Sequence, residues 1–260
     1  MELTRIPVDV ETRAPGGQTN AYVVGRSDAL LVDPAWRTPA LDAAVADRSV
    51  AHVAVTHRHP DHVGAVASYA SEFDATVWAR AGREDEFESA TGIAPDRTFR
   101  DGTTIPVSGG GVDVVETPGH APEHVAFAVE GDLLVGDLAV AEGSVVVGAP
   151  GGDVRAYLSS LRRVHARVPA PARLLPGHGA VVTDPRPTCA RLIEHRLDRE
   201  RRVLAAVESG AIDVDAVIDA AYGKDLTGVR DLADATVRAH LEKLAVEGRV
   251  EWDGHRARPA

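Results

Sequence analysis

Residues 51–62 read Ala-His-Val-Ala-Val-Thr-His-Arg-His-Pro-Asp-His. A run of strand character ends in four potential metal ligands within six residues, His57, His59, Asp61 and His62. Side chains two apart on an extended segment point the same way, so His57 and His59 can converge on one ion. Asp61 and His62, where the chain turns into a helix, can face a second. Core packing does not account for such a cluster at a strand end. Three later strand ends carry glycine-flanked candidates: Thr117-Pro118-Gly119-His120, Val135-Gly136-Asp137 and Pro176-Gly177-His178-Gly179. Glycine permits positive φ and close backbone approach, which a loop pressed against a metal often needs.

Short apolar runs separated by turn residues recur through residues 1–187 and predict strands at Tyr22–Gly25, Ala29–Asp33, Ala51–Thr56, Gly111–Val115, Val125–Val129 and Leu133–Val135. Helices are expected at Pro39–Ala46, Val63–Tyr69 and Val154–Val168. Strands outnumber helices and hairpin-length turns join several of them. The expected class is therefore α+β, a mixed or antiparallel sandwich with helices outside rather than a doubly wound parallel sheet. From Arg191 the texture changes: helices are expected at 191–209, Val214–Tyr222 and Asp234–Glu247, then a short strand at Arg249–Trp252. That order is the order of a winged helix.

The full chain has 260 residues and a formal charge of −11. Residues 1–187 carry 25 acids against 16 bases, and residues 188–260 carry 14 against 12. Such a balance disfavours general polyphosphate affinity unless basic residues cluster. Of the 28 basic residues only Lys224 and Lys243 are lysine. A strongly carboxylated surface suits molar salt, where the Debye length is about 3 Å, and a halophilic origin is expected; arginine-rich codon usage is the alternative. The single cysteine, Cys189, excludes an internal disulfide and a thiolate zinc cage. No apolar run approaches the roughly 20 residues of a membrane helix. MELTRIPVDV lacks a signal-like core, so a cytoplasmic protein is expected.

The motif His57, His59, Asp61, His62, followed by His120, Asp137 and His178, resembles the HxHxDH pattern and later ligands of the metallo-β-lactamase-fold hydrolases. The resemblance implies an αβ/βα sandwich of two mixed sheets over about residues 1–187. It also implies two divalent ions, one held by His57, His59 and His120, the other by Asp61, His62 and His178, with Asp137 bridging. A set of imidazoles and carboxylates without thiolate suits Zn, with Fe or Mn as alternatives. Two ions about 3.5–4 Å apart can share a hydroxide and clamp attacking and leaving oxygens. Asp61 is a candidate to orient that hydroxide or take its proton. Asp33, ending a strand before Pro34, matches a supporting position in the family or is a turn-starting aspartate. Asn20 is expected to have a turn role. His124 is a candidate residue at the edge of the site, and His52, His165, His195, His240 and His255 are expected to be structural or superficial.

Beyond the metal motifs, residues 120–124, 176–182 and 194–200 resemble the β-lactamase-like protein 2 group, which pairs the catalytic domain with a C-terminal winged-helix-like domain, here 188–260. Val237–Leu244 and Glu247–Val250 resemble its winged end. Members of that group include endoribonucleases, so the resemblance implies phosphodiester hydrolysis with single-stranded RNA as partner. Arg191, Arg196, Arg199, Arg201 and Arg202 form either a phosphate-facing cluster or a solvated helix face interleaved with Glu194, Asp198 and Glu200. The chain lacks the aromatic and basic tract usual for single strands. Two alternatives stand beside this reading: a glyoxalase-II-like hydrolase of a small ester or thioester, and a winged-helix nucleic-acid-binding regulator with a metal-sensing domain.

Overall fold

The computed structural model describes residues 1–167, 169–223 and 225–260. Two compact units emerge. The first comprises Met1–Thr117, Glu123–Gly143 and Arg167–Pro185; the second comprises Pro118–Pro122, Ser144–Ala166 and Arg186–Ala260.

The first unit begins with β1 (Leu3–Asp9), β2 (Gln18–Val24), β3 (Ala29–Val32), α1 (Pro39–Val45), β4 (Val50–Ala54), α2 (Pro60–Val63) and α3 (Val66–Phe73). There follow β5 (Thr76–Arg80), α4 (Glu84–Thr91), β6 (Arg97–Phe99), β7 (Thr104–Val107), β8 (Gly110–Glu116), β9 (Val125–Val129) and β10 (Asp132–Gly136). After α5 (Val154–His165) of the second unit, β11 (Leu174–Pro176) completes the strands of the first. One sheet runs β1 to β6 in sequence order and the other runs β11-β10-β9-β8-β7. Both are mixed: β1–β3 pair antiparallel and β3–β6 parallel, while β7–β10 pair antiparallel and β11 joins β10 in parallel.

The first sheet is buried on both faces, which explains why β2 and β3 read as continuous apolar runs rather than alternating ones. Tyr22, Val24, Leu30, Val32 and Ala54 point between the sheets, against Phe99, Ile105, Val114, Phe127 and Leu134. Their neighbours Ala21, Val23, Leu31 and Val53 point the other way, against Leu41 and Val45 of α1, Val66 and Tyr69 of α3 and Phe87 of α4. This is the expected α+β sandwich. Burying one large apolar side chain contributes about 1.5–3 kcal/mol, so a one-residue slip in β2 or β3 would disrupt both layers.

The differences from the expected elements are local. The helix expected at Val63–Tyr69 is two, because Ala65 N–H donates to Pro34 O (2.9 Å) and breaks the helical ladder at Gly64 and Ala65. β1, β5, β6 and β7 lie outside the expected strands; β1 is an edge strand, where Pro7 is tolerated. α4 buries only Phe87 among charged residues and shows no apolar period. The end of the helix expected at Val168 lies outside the described residues.

The second unit continues with α6 (Pro185–Glu208), α7 (Val214–Ala221), α8 (Arg230–Val246) and the antiparallel pair β12 (Val250–Trp252) and β13 (Ala257–Pro259). Val203, Val207, Val214, Val217, Ile218, Val237, Leu241, Leu244 and Val250 form its core. Asp213 caps α7, accepting from Ala216 N–H. Cys189 is fully buried in α6, and desolvation raises its thiol to about 11. Among the described residues no helix is long and apolar enough to cross a membrane.

Candidate metal centre

Asp33 follows β3, His57 follows β4, Asp137 follows β10 and His178 follows β11; α2 adds Asp61 and His62. His57 and His62 are fully buried, Asp137 and His178 nearly so, and His59 and Asp61 half-buried. Ligand atoms of His57, His62 and Asp137 lie within 4.8 Å of one another, as do those of Asp61, His62 and His178. His57 Nε2 is 3.0 Å from His59 Nδ1. Six of the seven candidates thus meet in the first unit. His120 belongs to the segment 118–122 of the second, where its Nδ1 engages Val146 O at 2.7 Å.

The hydrogen bonds behind the rings fix their orientation. His62 Nδ1–H donates to Asp33 Oδ2 (3.1 Å) and His178 Nδ1–H to Gln18 O (2.8 Å). Both therefore turn Nε2 inward, and the two Nε2 atoms are 3.3 Å apart. Two lone pairs facing each other at that distance need a cation or a proton between them. Asp33 reaches His57 as well: its Oδ2 accepts from Thr56 Oγ1–H (2.8 Å), which in turn accepts from His57 Nδ1–H (3.1 Å). Its Oδ1 accepts from Thr56 N–H (2.6 Å). Asp33 adopts φ of 50°, a conformation that aspartate tolerates better than most residues.

Charge follows the same geometry. Burial pulls the His62 pKa down, but Asp33, Asp137 and Asp61 outweigh it and raise it to about 9. For His178 too, desolvation is outweighed, chiefly by Asp137, and the pKa is raised. Carboxylate oxygens stand close by: Asp137 Oδ2 at 3.4 Å and Asp61 Oδ2 at 3.5 Å from His178 Nε2, and Asp137 Oδ1 at 3.6 Å from His62 Nε2.

The donor set fits divalent cations. Its atoms are nitrogen and carboxylate oxygen, and the surrounding backbone is shaped for close approach. A Cβ on Gly177 would lie 2.6 Å from Asp137 Oδ1 and 2.7 Å from His62 Cε1; one on Gly136 would lie 2.5 Å from Thr56 Oγ1. The His/Asp cluster can bind metal ions.

Around this cluster the structure refines the sequence reading. Asn20 lies within β2 rather than in a turn, and its Nδ2 donates to Pro176 O (2.9 Å) and Gly179 O (3.0 Å), bracketing His178. Tyr22 O–H donates to Pro176 O (2.6 Å). His124 is fully buried: Nε2 accepts from Asp137 N–H (3.0 Å), and Nδ1–H faces Thr117 Oγ1 (2.9 Å). Glu123, not singled out in the sequence, is buried, and its Oε1 accepts from Arg58 N–H (3.1 Å), the amide between His57 and His59. Its only signal in the sequence is its place between His120 and His124.

Two of the tail arginines are engaged within the fold and two pair on the surface. Arg196 is buried, hydrogen-bonds Val145 O and lies 5.4 Å from the Tyr157 ring centroid. Arg199 stacks on Tyr222 at 3.6 Å and donates to Ala221 O. Arg201 and Arg202 both pair with Asp198.

A sandwich that delivers imidazoles and carboxylates from separate strand ends to one buried spot has the layout of a metallohydrolase. The chain belongs to the metallo-beta-lactamase superfamily, whose family pattern matches residues 14–178, and it is a metal-dependent hydrolase. A beta-lactamase-like protein 2 homolog from Drosophila melanogaster is 31% identical over 251 residues, 89% of this chain and 84% of that protein. An atrochrysone carboxyl ACP thioesterase from Aspergillus fumigatus is 28% identical over 260 residues, 90% of this chain and 58% of that protein. The crystal structure of a metallo-beta-lactamase family protein from Thermus thermophilus is similar with a TM-score of 0.79 and 25% identity, covering 99% of this chain and 98% of that one.

Proposed function

We propose that the chain is a binuclear metal-dependent hydrolase of acyl thioesters. His57, His59 and His120 would hold one ion, Asp61, His62 and His178 the other, with Asp137 shared; the donor set suits Zn, with Fe or Mn as alternatives. When bound, such ions polarise the scissile bond and lower the pKa of water. Asp33 keeps the proton on Nδ1 of His62, and through Thr56 on Nδ1 of His57, so that Nε2 of each ring faces inward. His178 is oriented likewise by Gln18 O, and His120, with Nδ1 on Val146 O, is assigned Nε2 as ligand atom. His124 positions Asp137 through its amide. Asp61 Oδ2, oriented by Thr12 Oγ1–H at 2.5 Å, is the group proposed to take the proton of the attacking water.

One observation carries the substrate reading. Two of the five arginines read as facing RNA phosphates are drawn into the fold, Arg196 onto Val145 O and Arg199 onto Tyr222 and Ala221 O, and Arg201 and Arg202 pair with Asp198 on the surface. The thioesterase relative, moreover, aligns over 90% of this chain, so a helical tail is no argument against thioester chemistry. A second reading, single-stranded RNA cleavage, is favoured by the resemblance to the β-lactamase-like protein 2 group and by the identity to the Drosophila homolog. We also propose residues 1–187 as the catalytic domain and 188–260 as a winged-helix-like domain; the order α6-α7-α8 followed by β12-β13 supports the latter. Activity toward an acyl thioester, single-stranded RNA and bis-p-nitrophenyl phosphate, on protein of measured metal content, tests the substrate. Thioester turnover lost in His59→Ala is expected; RNA cleavage without thioester turnover reverses the ranking.

A further inference from the structure

Arg196 is only 3% exposed, and its partners among the described residues are neutral: the Val145 carbonyl, to which Nη2–H donates, and Tyr157, whose ring lies beneath the guanidinium. Burying a guanidinium without a carboxylate is costly, so the arrangement calls for a reason. Residues 144–148 belong to no helix or strand, and no ladder sets the direction of their carbonyls. Tertiary anchors do so instead. His195 Nε2 lies 3.2 Å from Ser144 Oγ, Arg196 takes Val145 O, and Ala149 N–H donates to Ala235 O of α8 (3.0 Å). Gly148 is pressed onto that helix, since a Cβ there would stand 2.7 Å from Ala235 Cβ. Only the two backbone torsions of Val146 separate the carbonyl that Arg196 holds from the next one, Val146 O, which accepts from His120 Nδ1–H (2.7 Å). The backbone of His120 converges on the same place. Gly119, where a Cβ would lie 2.2 Å from Tyr157 N, rests on α5, and Gly119 O accepts from Asp153 N–H (2.8 Å). Tyr157 thus carries Gly119 on its backbone and Arg196 on its ring.

We propose that Arg196 is a positioning residue for a metal ligand: by fixing Val145 O it sets Val146 O, which keeps the His120 proton on Nδ1 and leaves Nε2 to the ion; this rests on the assignment of His120 to the metal site above. A histidine ligand depends on the acceptor behind its other nitrogen. Here that acceptor is a carbonyl in an irregular segment, and a side chain of α6 holds it in place.

The test compares wild type with Arg196→Met, which keeps an apolar stem but no donor, and Arg196→Lys, which keeps a donor. Replacing a buried charge by an apolar side chain of similar volume is generally tolerated, so Arg196→Met is expected to fold. In metal-free protein, long-range proton–nitrogen NMR of isotope-labelled histidine reads the His120 tautomer, its resonance assigned by its loss in His120→Ala. Wild type should hold the Nδ1–H form, Arg196→Met should give a mixture of tautomers, and Arg196→Lys should stay near wild type. An unchanged His120 signal in Arg196→Met, or equal changes in both variants, overturns the inference. Competition with a chromophoric chelator then measures zinc affinity. One of the two ions should bind about tenfold more weakly in Arg196→Met, and no further loss should appear when Arg196→Met is added to His120→Ala. Losses that add in the double variant overturn the role toward the metal. Leu241→Ala weakens the core of the same unit, in a cluster that contains none of residues 144–149. It should lower the urea midpoint and leave both affinities; an equal drop in affinity there marks general loosening and likewise overturns the inference. If His120→Ala itself binds both ions as wild type does, the ligand assignment fails, while the NMR result still decides whether Arg196 sets the His120 ring.

Discussion

Asp33 is a single carboxylate on which two imidazoles depend, one directly and one through a threonine hydroxyl. Asp33→Asn can present an amide N–H to His62, which favours the wrong tautomer; metal affinity should drop about 10–100-fold, read by competition with a chromophoric chelator. Gly177→Ala attacks the same cluster sterically. With its Cβ at 2.6 Å from Asp137 Oδ1, metal content should fall markedly by elemental analysis, with a folding cost of about 1–3 kcal/mol by urea denaturation. The His57-to-His62 spacing is legible in the sequence because four ligand types in six residues have no packing explanation. Asp33 is ambiguous there because a turn and a metal support both place aspartate before proline. The role of Asn20 escapes a local reading because its partners, Pro176 O and Gly179 O, lie more than 150 residues away, and no local pattern encodes such a tether.

The loop from β4 to α2 carries two of the candidate ligands, His57 and His59, and is held from outside by Glu123 at the Arg58 amide. Glu123→Ala leaves that amide without its carboxylate and should loosen His57 and His59 together. Glu123→Gln, which keeps an acceptor oxygen, should restore most of the effect. Visible spectra of the cobalt-substituted protein would register the change in ligand geometry, and a spectrum identical to wild type in Glu123→Ala would count against this role. Apolar runs predict β3, β4 and β9 closely, since strands buried on both sides advertise themselves, whereas β2 begins four residues before the expected Tyr22. α4 gives no such signal, and the pattern at 63–69 cannot reveal that Pro34 O interrupts it. The arginines of α6 look in sequence like a solvated or phosphate-facing row; burial of Arg196 and stacking of Arg199 depend on Tyr157 and Tyr222, whose positions only folding determines.

For the molecule as a whole, protons and metal compete for one place. The His62 pKa, raised against burial from 6.5 to about 9 by Asp33, Asp137 and Asp61, gives stabilisation that is full below about 6.5 and is lost as pH rises through about 9. Chelator-treated protein should therefore lose more stability between pH 6.5 and 9 than metal-loaded protein, in which the cation replaces the proton; parallel urea midpoints would contradict this. The formal charge of −11 predicts a salt dependence. Self-repulsion is screened at molar salt, where the Debye length is about 3 Å, and spreads over about 30 Å at 0.01 M. Circular dichroism should show folded signal decaying on dialysis to low salt; a melting temperature independent of salt would favour codon usage as the origin of the arginine bias. A last consequence concerns Cys189, buried in α6 with its thiol raised to about 11. The native chain has no other cysteine, so it offers a silent background for thiol chemistry. A cysteine placed on any exposed loop would be the one site that a maleimide dye or spin label finds at neutral pH, and the approach of a substrate to the metal cluster could be followed from a single, chosen vantage point.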